Sequence, residues 1–290
     1  MAQCVLALDN DTRKRHIVLQ RNGDEDQLIA TRVIATPNLG HLPFDGTIKF
    51  LWEGYPEMIK QGFPTKLIQK AFTVREKAVC SPQLHEKGFP ENNDIFLHAS
   101  VPNVGTTSYS IFHDLIDSST MGRIFRIETK MVNIDPETRR PSKLPTAFVE
   151  ECTKFASSDP AMITDVQEEF VPPKNAFKSI IRTRYSDLDI NLHVNYAQYY
   201  KFCADCASEA SQSGYYRHYD DDICRLPVLK TDVSFIGESP PCSNLDVYSW
   251  QDTQNQQRIY FAIYLKSDRI FQADYLYGCE KSDEAIVSKL

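Results

Sequence analysis

The sequence predicts an α+β chain assembled from two copies of one unit. Runs of period-2 alternation recur in both halves of the chain. One long amphipathic helix stands out at 195–214, directly after a dense cluster of polar side chains. A segment near the start of the chain repeats that cluster and helix without a gap.

The chain has 290 residues, room for one large domain or two of the usual size. Hydrophobic residues make up 42% and charged residues 24%, the balance of a folded globular protein. The net charge of -7 lacks the basic footprint of a nucleic-acid binder, although a local basic patch can still hold an anionic ligand. No apolar run approaches the roughly 18 residues of a membrane span, so none is expected. The opening MAQCVLALDNDTRKRH is too short in its apolar run and too acidic for a signal peptide. The cysteines are scattered, as in intracellular proteins, and Cys203 and Cys206 fall inside a helical pattern. Core packing is the expectation for that pair, not zinc or redox chemistry.

In chain order, residues 1–22 read as a lead-in with HIVLQ as an edge strand. From Leu28 come a strand-like opening, a turn with Pro37, Asn38 and Gly40, and a helical run through Ile48, Leu51, Trp52, Tyr55 and Ile59. Pro56 predicts a kink or early break in it. PTKLIQKAFTVRE reads equally as strand or helix, and 81–94 as loop. TTSYSIFHDLID and GRIFRIETKMVNID read as strands around the turn SSTMG. A Pro- and Arg-rich loop follows, then a helical stretch within 146–170, then a linker at Val171-Pro172-Pro173. Domains are therefore expected at 1–170 and 171–290. The second opens with the strand SIIRTRYS and, after the helix and an acidic loop, continues with four alternating strands: PVLKTDVSFIGE, LDVYSWQDT, QRIYFAIYLKS and RIFQADYLYG.

The polar cluster carries the chemistry. Asp187, Asp189, Asn191 and His193 come at every second position, so an extended backbone points them to one side. Asn195 is placed to cap a helix, with Gln198 at the capping-box position. Tyr196, Tyr199, Tyr200, Cys203, Cys206, Ala207 and Ala210 form its apolar face, and Gly214 stops it. A polar cluster at the positive end of a buried helix suits polarising a carbonyl oxygen and aiming a carboxylate at its carbon. The plainer alternative is a set of ordinary turn and capping residues.

In the repeat, Arg32 falls on Arg184, His41 on His193, Lys49 on Lys201, Phe50 on Phe202, Glu57 on Glu209 and Gly62 on Gly214. Chance at average composition gives about two identities over such a window. Pro37 stands opposite Asp189, Leu39 opposite Asn191 and Pro43 opposite Asn195, so the first copy reads as the non-catalytic one and His41 as structural.

At these residues the chain resembles a family. DLDINLHVNYAQYY is similar to the D-x-D-x-N-x-H-V-N-N-x-x-Y signature of hotdog-fold thioesterases, above all the second domain of the plant acyl-ACP thioesterases. Bacterial acyl-CoA thioesterases of the 4-hydroxybenzoyl-CoA thioesterase type share part of it. Tyr196 departs from the pattern, where a second Asn is usual. The resemblance implies a tandem (double) hotdog, two antiparallel sheets each wrapping a long helix. It also implies that 1–170 is degenerate, that 171–290 is catalytic, and that the reaction is acyl thioester hydrolysis without cofactor or metal. Its implied catalytic residues are Asp189, Asn191, His193 and Glu238, the last ending a strand at a Gly turn. Ser239 stands where the plant enzymes have Cys, so a cysteine nucleophile is not supported there. Either Asp189 or Glu238 attacks the carbonyl or activates a water; Asn191 orients water or carbonyl; His193 polarises or relays a proton to the leaving thiolate. Helix amides beyond Asn195 receive the oxyanion. Tyr199 and Trp52 are candidates to line the acyl chain, with core packing as their other role.

The ending Ser288, Lys289 and Leu290 matches the signal read by the peroxisomal import receptor, so a peroxisomal location is expected, or a cytoplasmic one if the signal is unused. That location favours acyl-CoA as substrate, with free acid and CoA as products. The alternatives are an acyl-ACP thioesterase, a hotdog enoyl-CoA hydratase and a non-catalytic acyl-CoA-binding hotdog protein. The hydratase pattern G-D-x-N-P-L-H separates Asn from His by three; here Asn191 and His193 are two apart and the Gly and Pro are missing. Monomer and homodimer both remain open.

Overall fold

The computed structural model describes residues 29–32, 71–82, 95–117, 119–164, 166–188, 192–217, 219 and 221–278. They fall into two units, one up to 164 and one from 166 onward. The expected HIVLQ strand and the helical run with Trp52 and Pro56 lie outside the described residues.

The first unit contains β1 (Ile29–Arg32), β2 (Ala71–Cys80), β3 (Ile95–Val104), β4 (Ser108–Asp117), β5 (Arg123–Asn133) and a short helix α1 (Thr146–Thr153). Its strands are all antiparallel, in the order β1-β3-β4-β5-β2. The stretch that reads as strand or helix is thus strand from Ala71, paired along its length with β5. β3 escapes a sequence reading because Pro102, which has no N–H to give a ladder, falls where the register with β4 shifts between Ser100 and Asn103.

β4 does not alternate in burial: every residue from Tyr109 to Leu115 is buried. One face meets α1, where the Tyr109 and Phe148 rings lie edge to face at 4.8 Å. On the other face the Arg126 guanidinium sits 4.1 Å from the Phe112 ring centre and grips Asp114 with two bonds of 2.6 Å. The segment after α1 covers this face. Its Ser157 N–H donates to Val101, its Asp159 accepts from Arg126, and the Met162 and Ile163 N–H groups donate to the buried Glu128 carboxylate.

His113 is a buried imidazole in this core, and burial pushes its pKa from 6.5 down to about 4, against the pull of Asp114. Above about pH 6.5 the ring is neutral in both folded and unfolded chains. Below that the unfolded chain takes up a proton that the folded one refuses, so stability falls as pH drops toward 4. A shift of this size is worth about 3 kcal/mol. Urea unfolding at a series of pH values is expected to show this slope, and His113→Gln to flatten it.

The second unit contains β6 (Phe177–Arg182), α2 (Tyr196–Gln212), β7 (Val228–Phe235), β8 (Asn244–Gln251), β9 (Arg258–Leu265) and β10 (Asp268–Tyr277). It too is antiparallel, ordered β6-β8-β9-β10-β7, so each strand takes the place of its counterpart in the first unit. The four strands expected here from alternation are all present. β8 alternates cleanly, burying Leu245, Val247 and Ser249. β10 is buried on both faces because residues 167–170 strap its outer side. There Gln272 donates to the Glu168 carbonyl and accepts the Phe170 N–H, and Arg269 donates to the Phe170 carbonyl.

α2 is the long element of this unit. Tyr199, Tyr200, Phe202, Cys203, Cys206, Ala207 and Ala210 are buried, nearly the face that the spacing predicts. Tyr196 is only half-buried, its ring edge-on to Phe235 at 5.3 Å. Tyr199 stacks on Phe271 and Tyr200 on Tyr275, at 5.4 and 6.3 Å. Each large ring buried this way stabilises by about 1.5–3 kcal/mol. Small Cys206 lets the helix approach β8 closely, its thiol 3.5 Å from the Val247 carbonyl. The helix stops at Gly214, whose φ of 71° suits glycine, with Gly214 and Tyr215 N–H groups donating to the carbonyls of Ser211 and Ala210.

Candidate active site

The site is built where the approach to α2 meets the end of β7. After β6, Tyr185–Asp187 form a single 3-10 turn, held by the Asp187 carboxylate accepting the Arg184 N–H at 2.6 Å. Leu188 then pairs with Val194 in an isolated antiparallel bridge, and the Asn195 N–H donates to the Asp187 carbonyl at 2.8 Å. Both ends of the motif are therefore pinned together at the helix entrance. Leu192 takes a φ of 61°, an uncommon conformation for a branched side chain, directly before His193. Asp189 and Asn191 lie outside the described residues, as does Trp52.

Asn195 caps α2, its side chain accepting the Ala197 N–H at 2.9 Å. The expected capping box does not close through Gln198. The Asn195 N–H that a box would use is given to Asp187, and the Gln198 N–H goes to the Asn195 carbonyl. Asn195 thus faces its own helix terminus with its oxygen already engaged.

Glu238 arrives from the other side. The Ile236 and Gly237 N–H groups both donate to the Ile270 carbonyl, tying the end of β7 to β10. The Val194 N–H then donates to the Ser239 carbonyl at 2.9 Å, joining the residue after His193 to the residue after Glu238. The result is that His193 Nδ1 stands 3.5 Å from Glu238 Oε2, with side chains 37% and 34% exposed. That separation is loose for a hydrogen bond, as catalytic contacts often are before substrate arrives. A carboxylate facing Nδ1 orients an imidazole, the arrangement that general acid–base work requires.

Two features of this frame have no signal in the sequence. Thr183, buried at the end of β6, bonds through its hydroxyl to the Pro240 carbonyl and the Ser243 N–H, clamping the turn after Glu238. Ser239 is fully buried, and its hydroxyl shares a 3.0 Å hydrogen bond with the Tyr199 hydroxyl. Burial raises the Tyr199 pKa above its ordinary value, outweighing the hydrogen bond to Ser239 that lowers it, so the phenol stays protonated near neutrality.

Residues 171–216, which carry β6, the motif and α2, match the family model of the acyl-ACP thioesterase C-terminal domain. Among solved structures, an acyl-ACP thioesterase from Bacteroides thetaiotaomicron superposes with a TM-score of 0.67 at 16% identity, covering 87% of this chain and 98% of that one. The 12:0-ACP thioesterase from Umbellularia californica superposes with a TM-score of 0.67 at 13% identity, covering 89% of this chain and 100% of the other. The chain has the acyl-ACP thioesterase fold. No curated protein sequence matches it at a significant level. Within that fold, the matched segment supplies His193 and the helix terminus, while Glu238 comes from the segment after β7, which ends at Phe235 and not at Glu238 as the sequence suggests.

Proposed function

We propose that the chain hydrolyses acyl thioesters at the N-terminus of α2, with the acyl group carried on CoA. The observation that supports this most is the approach of His193 to Glu238, two residues distant in sequence that meet beside a capped helix end. Asp189 and Asn191 complete the set on the strength of the motif. In this reading Asp189 or Glu238 attacks the thioester carbon, giving a mixed anhydride that water then hydrolyses to free acid, or draws a proton from a water that attacks instead, and Asn191 orients the water or carbonyl. His193 passes a proton to the departing thiolate. The positive helix end lowers the energy of the oxyanion, a contribution of about 3 kcal/mol for each well-placed donor. Tyr199 and Trp52 remain the proposed contributors to the acyl-chain lining.

The tandem hotdog belongs to the same proposal, supported by the first unit repeating the strand order of the second. Pro37, Leu39 and Pro43 stand in place of Asp189, Asn191 and Asn195, which makes that copy the degenerate one.

CoA as carrier and the peroxisome as location rest on Ser288, Lys289 and Leu290. The likeness to acyl-ACP thioesterases favours the second reading, an acyl carrier protein as carrier. Thiol release from one acyl group presented on either carrier separates them. Faster turnover on CoA, lost in Asp189→Ala, is the expected result. Faster turnover on the carrier protein would overturn the CoA assignment and keep the hydrolase. Tight acyl-CoA binding without turnover would favour a scaffold, and loss of the double bond of an enoyl-CoA would favour a hydratase.

A further inference from the structure

Ser239 is anchored three ways. It is covalently next to Glu238, its carbonyl accepts the Val194 N–H beside His193, and its hydroxyl bonds to Tyr199 one turn into α2. Tyr199 is itself held: its ring stacks on Phe271, and its buried side chain leaves the hydroxyl no route to water. The hydrogen bond therefore joins the segment after β7 that bears the carboxylate to the helix whose entrance bears the imidazole. The Ser239 backbone also hydrogen-bonds the Tyr199 hydroxyl, so the tie is double.

We infer that Tyr199 and Ser239 form a positioning pair that fixes Glu238 against His193; the inference rests on the thioesterase reading above. The pair touches no reacting atom. It acts by keeping the end of β7 and the first turns of α2 in register, so that the two functional side chains meet on substrate binding. Losing it lets Glu238 drift, and a misplacement of about 1 Å costs on the order of a hundredfold in rate. A hydroxyl pair at this place also explains why the residue after Glu238 is buried and bonded instead of facing the site as a nucleophile.

The test uses the full chain and the variants Tyr199→Phe, Ser239→Ala and their combination, with kcat, KM and Tm measured for each. Ser239→Ala leaves the Tyr199 hydroxyl only its bond to the Ser239 backbone, Tyr199→Phe leaves the buried Ser239 hydroxyl without its partner, and the double variant removes both hydroxyls and so relieves part of that penalty. The expected result is a kcat about ten- to a hundredfold lower in both singles, with KM within about twofold of wild type. In the double variant Tm recovers part of the loss while kcat stays low. Recovery of kcat together with Tm would overturn the inference, because the pair would then be acting on stability alone. Wild-type kcat in the single variants would overturn it too, leaving the thioesterase reading intact. A wild-type chain without turnover defeats the thioesterase reading and this one with it. If Ser239→Ala does not fold, Tyr199→Phe and the double variant decide the same question.

Discussion

His193→Ala is expected to lower kcat for acyl thioester hydrolysis by about two to four orders of magnitude, the range typical of a lost general acid–base group. Thermal stability should hardly change, because the side chain is 37% exposed and its contact with Glu238 is 3.5 Å long. Glu238→Gln should lose rate to a similar extent while keeping the shape of the site. A double variant should cost little more than either single one, since residues that act as a unit are not additive. Rate assays paired with a thermal melt check all three statements.

Asp114→Ala is expected to do the reverse: destabilise by about 3 kcal/mol or more and leave the kcat of the folded enzyme unchanged. Asp114 is 1% exposed and takes two 2.6 Å bonds from the buried guanidinium of Arg126, with the Arg123 Nε at 3.2 Å and His98 Nδ1 at 3.6 Å. Removing the carboxylate leaves Arg126 buried with Asp159, itself partly exposed, as its one ionic partner among the described residues. Burial alone would raise the Asp114 pKa; the hydrogen bonds from Arg126 and His98 and the charges of Arg126 and Arg123 outweigh it and hold it below 3.8. The unfolded chain therefore binds the proton first as pH falls. The stabilisation is whole above 3.8 and is lost as acid carries the pH through the lower folded value. Urea unfolding of wild type and Asp114→Ala should differ most near neutrality and converge in strong acid.

These opposite outcomes reflect what was legible in the sequence. Period-2 alternation made β8 readable because only one of its faces is covered. It places β4 as a strand too but does not show that both its faces are buried, because Asp114 reads as solvent-facing until Arg126 and the segment after α1 are placed over it. β3 was unreadable because Pro102 breaks its ladder. The helix at 196–212 and its stop at Gly214 followed from local chemistry, which needs no distant partner. The capping box did not, since the Asn195 N–H is claimed by Asp187 through a loop closure that spacing cannot show. His193 and Glu238 were named from the family pattern, and their meeting depends on the bond from Val194 to Ser239. Tyr199 reads as a core or lining residue because nothing local reveals that its hydroxyl reaches Ser239 in the loop between β7 and β8.

The most direct measurement is free-thiol release from a panel of medium- and long-chain acyl-CoAs by the purified wild-type chain, His193→Ala and Glu238→Gln. The account predicts wild-type hydrolysis well above background and near-background rates in both well-folded variants. Undiminished hydrolysis in either variant, or none by wild type on any acyl thioester, would contradict it.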